Sequence, residues 1–390
     1  MANEALWYYA IGFIIIWIVA ILFRKQLKID IEGPFLFRRT KRLRGLIDRI
    51  AQRSPRFWRY FLNVGIPVSI FFMGLMVVIL VNSLGTLLEA PQVQVVLPGV
   101  DLPGQPIYVP IGYGLIALFI VLVVHEFGHG ILARVEGIRI KSIGLALFAV
   151  IPGAFVEPDE EDTEKASKKA RLRLYAAGSV FNLTTAAIAL VISYALLYLL
   201  IAPVLAPAFY SDGVEITRVV PSSPADGVLS TGMVIHSING QSIDDFSKYE
   251  AIVNSIQIGD EITFQTDKGT YHVKAGPNPN NKTDGYIGVQ GQANIALKSG
   301  YPSYYEPLTQ WVLYPLLELL NWIFVLNFAI GTINLLPARP LDGGLMLSEL
   351  LDYKLSTPNV NRITNFLSIF LWTILIVSVV YGTGRGIAML

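Results

Sequence analysis

Six stretches of this chain, at about 6–23, 61–84, 111–134, 174–202, 310–336 and 363–382, are each apolar and long enough to cross a lipid bilayer. A helix of about 20 apolar residues matches a hydrocarbon core about 30 Å thick. Only 15% of the 390 residues are charged and 53% are hydrophobic, so lipid is the main solvent of the chain. The expected fold is a polytopic α-helical membrane protein of about six transmembrane helices. A single water-facing α+β domain stands between the fourth and fifth.

Charge fixes the expected orientation. The segment 24–59 carries Arg24, Lys25, Lys28, Arg38, Arg39, Lys41, Arg42, Arg44, Arg49, Arg53, Arg56 and Arg59, the loop 89–110 has no Lys or Arg, and 135–173 is basic again. Basic loops stay cytoplasmic, which places both termini and the soluble domain on the extracytoplasmic side of the cell membrane and the loops 24–59 and 135–173 on the cytoplasmic side. The start of the first span is not basic and a positive cluster follows it, so it reads as a retained anchor rather than a signal peptide. The cluster at 24–59 reads as a topology signal touching anionic headgroups, and with no recognition module beside it no nucleic-acid partner is expected. Cysteine is absent, so any metal must be held by nitrogen and oxygen.

The soluble stretch 207–300 contains strand-like runs at 215–220, 233–238, 261–266 and 270–275. Asn239-Gly240 marks a tight turn, and a helix is predicted from an Asp245 N-cap to Ile256. Its phrases VVPSSPADGVLSTGMVIHSINGQSIDDF resemble the PDZ-like domains of bacterial-type proteases, in which a peptide adds as an extra strand beside a helix. Two shorter pieces lie near the membrane: 143–157, an apolar run broken at Pro152-Gly153 and read as re-entrant or interfacial, and an alternating strand at 92–97. Either one is expected to pair with an unwound substrate. NKT at 281–283 matches a glycosylation sequon by pattern only.

The chemistry concentrates at HEFGH, 125–129, inside the third span. Residues four apart share a helix face, so His125 and His129 can offer two imidazoles to one ion with Glu126 beside it. The chain has four His in all, and two of them fall here, where an unpaired His-Glu-His would cost several kcal/mol of desolvation. A hydrolytic site needs a third ligand and an open position. The candidate is Asp342 in NLLPARPLDGG, 334–344, where Pro337 and Pro340 prevent regular helix.

This combination resembles the site-2 protease family of intramembrane metalloproteases, with HExxH in one span and N-x-x-P-x-x-P-L-D-G in a later one, matched here by His125, Glu126, His129, Asn334, Pro337, Leu341, Asp342 and Gly343. AAGSVFN, 176–182, is similar to the family's G-x-x-x-N feature through Gly178 and Asn182, with Ser179 where Pro is common. The resemblance implies one zinc ion on His125, His129 and Asp342, Glu126 as general base, and transmembrane proteins as substrates. The amides of Asn182 and Asn334 are expected to bind substrate backbone or the developing oxyanion. It also implies an organisation into accessory helices and a basic loop (1–110), catalytic core (111–202), PDZ-like domain (207–300), catalytic core (310–344) and accessory helix (345–390). The active site would lie toward the cytoplasmic side. The competing readings are a metal-ion transporter using the same ligands and a non-catalytic receptor or scaffold built on the PDZ-like domain.

Overall fold

The computed structural model describes residues 2–40, 43–85, 97–100, 107–148, 151–221, 223–278 and 284–388. The chain divides into two units, Met1–Ser193 with Leu317–Leu390, and Tyr194–Leu316. Among the described residues five helices are long and apolar enough to cross a membrane, Pro55–Asn82, Ile111–Val135, Lys168–Ala208, Tyr305–Ile333 and Thr357–Gly384, and a shorter apolar helix covers Trp7–Leu22. The strand expected at 92–97, apart from Leu97, and the sequon at 281–283 lie outside the described residues.

The first unit begins with α1 (Ala2–Leu22) and α2 (Arg24–Leu27), followed by a hairpin of β1 (Asp30–Glu32) and β2 (Phe35–Thr40). Next come α3 (Arg44–Arg53), α4 (Pro55–Asn82), α5 (Ile111–Val135), a second hairpin of β3 (Ile140–Phe148) and β4 (Ile151–Pro158), α6 (Glu160–Lys165) and α7 (Lys168–Ala195). The two hairpins join into one antiparallel sheet in the order β1-β2-β3-β4, with Phe35–Thr40 running against Ile143–Phe148. The segment 143–157 is therefore a regular β-hairpin rather than irregular backbone, and the basic stretch 24–59 is not simply a loop. The physical reason is alternation. Ile143 and Val156 are paired across the second hairpin and both are buried in a core with Ile47 and Ile131. Pro152 sits on the outermost strand, where a missing N–H breaks no ladder.

The ends of α5 and α7 are locked by a buried ion pair. Arg173 Nε and Nη2 donate to Glu136 Oε1 and Oε2 at 2.9 and 3.1 Å, with side chains only 9% and 7% exposed. Removing Glu136 would strand the Arg173 charge, at about 3–5 kcal/mol, whereas Glu136 is also paired with Arg59 Nε at 3.3 Å.

The second unit holds a π-helical stretch (Leu196–Leu205), β5 (Phe209–Val219), β6 (Val234–Ile238), β7 (Gln241–Ser242), α8 (Phe246–Ser255), β8 (Glu261–Thr266), β9 (Gly269–Lys274), β10 (Gly276–Pro277), β11 (Gly285–Tyr286), β12 (Val289–Leu297) and α9 (Tyr305–Leu308). Its main sheet runs β12-β5-β6-β8-β9, leaving β12 at an edge. The predicted strands and turn are present. Asn239 and Gly240 take φ of 50° and 76° between β6 and β7, and Asp245 caps α8 by accepting the Lys248 N–H at 2.8 Å. Its core gathers Val214, Ile235, Ile238, Phe264 and Tyr249. Burial without a hydrogen-bond partner pushes the Tyr249 phenol up to about 12.

The chain then continues through α10 (Tyr314–Ile333), α11 (Asp342–Leu351) and α12 (Thr357–Ala388). Leu336 and Ala338, from the turn between α10 and α11, are buried with Leu371 and Ile374 of α12 and Leu80 of α4.

Candidate metal centre

Three elements of the first unit meet at one point. On α5, His125 Nε2 and His129 Nε2 lie 3.2 Å apart, as the four-residue spacing demands. Asp342, the first residue of α11, brings Oδ2 to 3.4 Å from both nitrogens. All three side chains are 12–14% exposed. Asp342 Oδ2 is buried and without a hydrogen-bond partner.

The imidazoles are aimed by α7. Leu174, Gly178 and Asn182 are spaced by four and so share one face of that helix. Leu174 O lies 2.9 Å from His129 Nδ1; a carbonyl only accepts, so Nδ1 carries the proton and Nε2 keeps its lone pair for a metal. Asn182, fully buried, sets its amide 3.3 Å from His125 Nδ1. A metal-directed Nε2 leaves the proton on Nδ1, which calls for the amide oxygen as its partner, and Asn182 Oδ1 is the buried atom left without one. Between them stands Gly178, where a Cβ would lie 2.4 Å from His129 Nε2 and 2.5 Å from His125 Cε1. Only glycine admits both rings so close to α7.

The turn that presents Asp342 is equally tight. Gly343 N–H donates to Asn334 O at 2.8 Å, and a Cβ on Gly343 would lie 2.1 Å from Leu335 O. The side-chain amide of Asn334 turns back on its own helix, donating to Ile330 O at 3.0 Å.

Glu126 stands beside the cluster, and its Oε2 accepts the Val156 N–H of β4 at 2.7 Å. This contact was not legible in the sequence, because a backbone N–H has no residue identity. The outermost strand of the sheet is thereby fixed to the carboxylate.

The donor set fits a metal. Two nitrogens and one carboxylate oxygen lie within 4.8 Å of one another, and Asp342 Oδ2, Asn182 Oδ1 and Ser179 Oγ, all three on site residues or their neighbours, are buried without hydrogen-bond partners. An orphaned, buried carboxylate oxygen facing two imidazole nitrogens calls for a cation between them. With three protein ligands, a tetrahedral ion would retain one open position.

Residues 113–377 match peptidase family M50. An uncharacterized protein of Methanocaldococcus jannaschii is 28% identical over 342 residues, covering 85% of this chain and 81% of that one. A membrane-bound transcription factor site-2 protease homolog of Arabidopsis thaliana is 36% identical over 141 residues, covering 36% of this chain and 26% of the relative. Among solved structures, the PDZ domain of an SdrC-like protein from Listeria monocytogenes is 22% identical, with a TM-score of 0.19, over 20% of this chain and 87% of that one.

Proposed function

Given that this chain belongs to peptidase family M50, we propose that His125, His129 and Asp342 hold one zinc ion, and that Glu126 moves the proton during hydrolysis of a peptide bond in a transmembrane substrate. The chain is an intramembrane metalloprotease of the site-2 type, and the transporter and scaffold readings are set aside by that membership. The observation that carries the residue assignment is the convergence of three ligand atoms, at 3.2, 3.4 and 3.4 Å, from two segments far apart in sequence.

When bound, zinc supplies Lewis acidity to the scissile carbonyl and brings the pKa of a water toward 7. The chain supplies the rest. Val156 N–H engages Glu126 Oε2, leaving Oε1 to take a proton from the attacking water and return it to the leaving nitrogen. Leu174 and Asn182 hold the imidazole tautomers, which makes Asn182 a positioning residue in this reading rather than a group that touches substrate. Asn334 holds the Asp342 turn through its carbonyl.

A substrate helix must unwind to be cut, and its freed backbone groups need partners. Alternation along β4 supports that strand as the partner. Val156 points its N–H away from β3 to Glu126, so Ala154, two residues earlier, presents its N–H and C=O on the same open side. In the second unit, the edge position of β12 supports capture of a peptide there as an added strand. The basic segments 24–59 and 135–173 support an active site facing the cytoplasm, with both termini and the second unit outside.

The test is metal content and cleavage of a labelled transmembrane peptide for wild type, Glu126→Gln and Asp342→Asn. Glu126→Gln is expected to keep its metal and lose cleavage, and Asp342→Asn to lose both. Cleavage by Glu126→Gln would end the assignment.

A further inference from the structure

A cavity of about 830 Å³ opens beside Glu126, walled by α5 and by β2, β3 and β4 of the sheet. Its α5 wall is apolar at Phe119 and Val123, and Glu126 is the one acidic residue in its lining among those described. Three cations line it as well: Lys28, Arg38 and Arg39. They are not equivalent. Arg39 is neutralised by Asp30 and Glu32, each at 2.9 Å, and lies 5.1 Å from the centre of the Phe37 ring. Lys28 and Arg38 make neither an ion pair nor a side-chain hydrogen bond with any described residue. Among the described residues the cavity therefore carries two uncommitted positive charges in its wall.

Register shows what those charges would meet. Arg38 pairs with Leu145 and Leu145 with Ala154, so the three lie in one row across the sheet and present their side chains on one face. The next row is Thr40, Ile143 and Val156, and Val156 is the residue bonded to Glu126. Adjacent strands are about 4.8 Å apart, so a peptide added beyond β4 would lie about 14 Å from the Arg38 backbone, and the cation would act on it chiefly through the field in the cavity. A peptide laid along β4 would place one side chain in the Arg38 row, two residues from the one beside Glu126.

We propose that Lys28 and Arg38 read a carboxylate side chain close to the scissile bond, two to four residues away on the side that faces Ala154, and so select substrates with Asp or Glu there. This rests on the protease reading above. Selection works by exclusion as well as attraction. Two cations in the cavity wall repel a Lys or Arg at that position of a substrate.

The experiment uses the full-length protein in detergent and three transmembrane peptides that differ only at that position, carrying Glu, Gln or Lys. Expected is kcat/KM in the order Glu, Gln, Lys, with a Glu-to-Lys ratio of about fivefold to tenfold, carried by KM and shrinking as salt rises. The double substitution Lys28→Glu with Arg38→Glu should invert the order; should it fail to fold, Arg38→Gln should bring the Glu and Gln peptides together. A ratio near one in the wild type, or one unchanged by charge reversal, overturns the proposal. Glu126→Gln run in parallel separates the two readings: if it still cleaves, the protease assignment fails, and if it is inactive while the wild type ignores peptide charge, only the selection fails. The assay is repeated in nanodiscs of neutral lipid and of neutral lipid with phosphatidylglycerol. If charge reversal alters the rate only where the anionic lipid is present, whatever the peptide charge, then Lys28 and Arg38 serve a lipid headgroup and substrate reading is overturned.

Discussion

The indole N–H of Trp372 donates to the backbone carbonyl of Arg339 at 2.9 Å, three residues before Asp342. Ser368 Oγ, one turn earlier on α12, accepts the Arg339 N–H at 2.9 Å. The helix read from the sequence as accessory thus grips both backbone groups of one residue in the turn that presents the carboxylate. Trp372→Phe would leave that carbonyl without its donor, at about 1–2 kcal/mol. Zinc affinity in a buffered metal titration is expected to fall about tenfold, with kcat reduced more than KM. Unchanged zinc affinity would remove α12 from the positioning of Asp342.

Gly178→Ala places a methyl group against both metal-directed imidazoles. The two rings must part or α7 must withdraw, so zinc affinity is expected to drop by more than tenfold with helix content retained. Gly74→Ala, at an open position of α4, is the control. Equal zinc binding by the two variants, measured by metal analysis after dialysis, would show that the close approach is not needed.

Ala154→Pro tests the outermost strand as the substrate's partner. It removes an N–H that faces away from β3 and leaves the internal ladder of the hairpin intact. Cleavage is expected to fall at least tenfold, with metal content unchanged, because the lost bond would be made only to an unwound substrate. Wild-type cleavage by this variant would move the pairing elsewhere.

Acid should release α6 from the start of the second hairpin. Asp162 accepts from the Arg139 backbone N–H at 3.0 Å and from its Nε at 2.7 Å, and the guanidinium hydrogen bond holds its carboxyl down at about 2. A depressed folded-state pKa contributes attachment that is fully present above the unfolded value of 3.8 and is lost as pH falls toward about 2. Hydrogen exchange at the Arg139 amide should therefore stay slow down to about pH 4 and accelerate below it, after correction for intrinsic rates. In Asp162→Asn the dependence should disappear. A profile identical to wild type would mean that another group holds the amide.

The legible parts of this protein were those in which the signal is local or energetically costly. Apolar spans announce themselves by length, the His125 and His129 pair by the expense of putting such groups in lipid, and Asp342 by the proline- and glycine-marked turn and the family pattern. The α8 helix was readable from Asp245 and the turn after β6 from Asn239-Gly240, because capping and positive φ restrict residue type. The four-stranded sheet was not readable. Its central pairing joins 35–40 to 143–148, and no local pattern encodes a partner that distant. The short apolar run Phe35, Leu36 and Phe37 after the Gly33 turn was its one trace, followed at once by a run of basic residues. Leu174 and Val156 escaped because they act through backbone atoms. Asn182 was found from the family pattern, but what it touches, His125, came only from the geometry.

The joining of β2 to β3 also sets an order of events during synthesis. The first hairpin emerges with one side of its ladder open, and its partner is made only after α4 and α5, about 100 residues and some 5–20 s later at ordinary translation speeds. For that interval an unfinished sheet edge waits at the bilayer, exposed to insertion machinery, chaperones and other nascent chains. Shortening or tagging the protein within its first forty residues would disturb more than an anchor. It would leave β3 unsealed and, through β4, loosen the strand that holds Glu126.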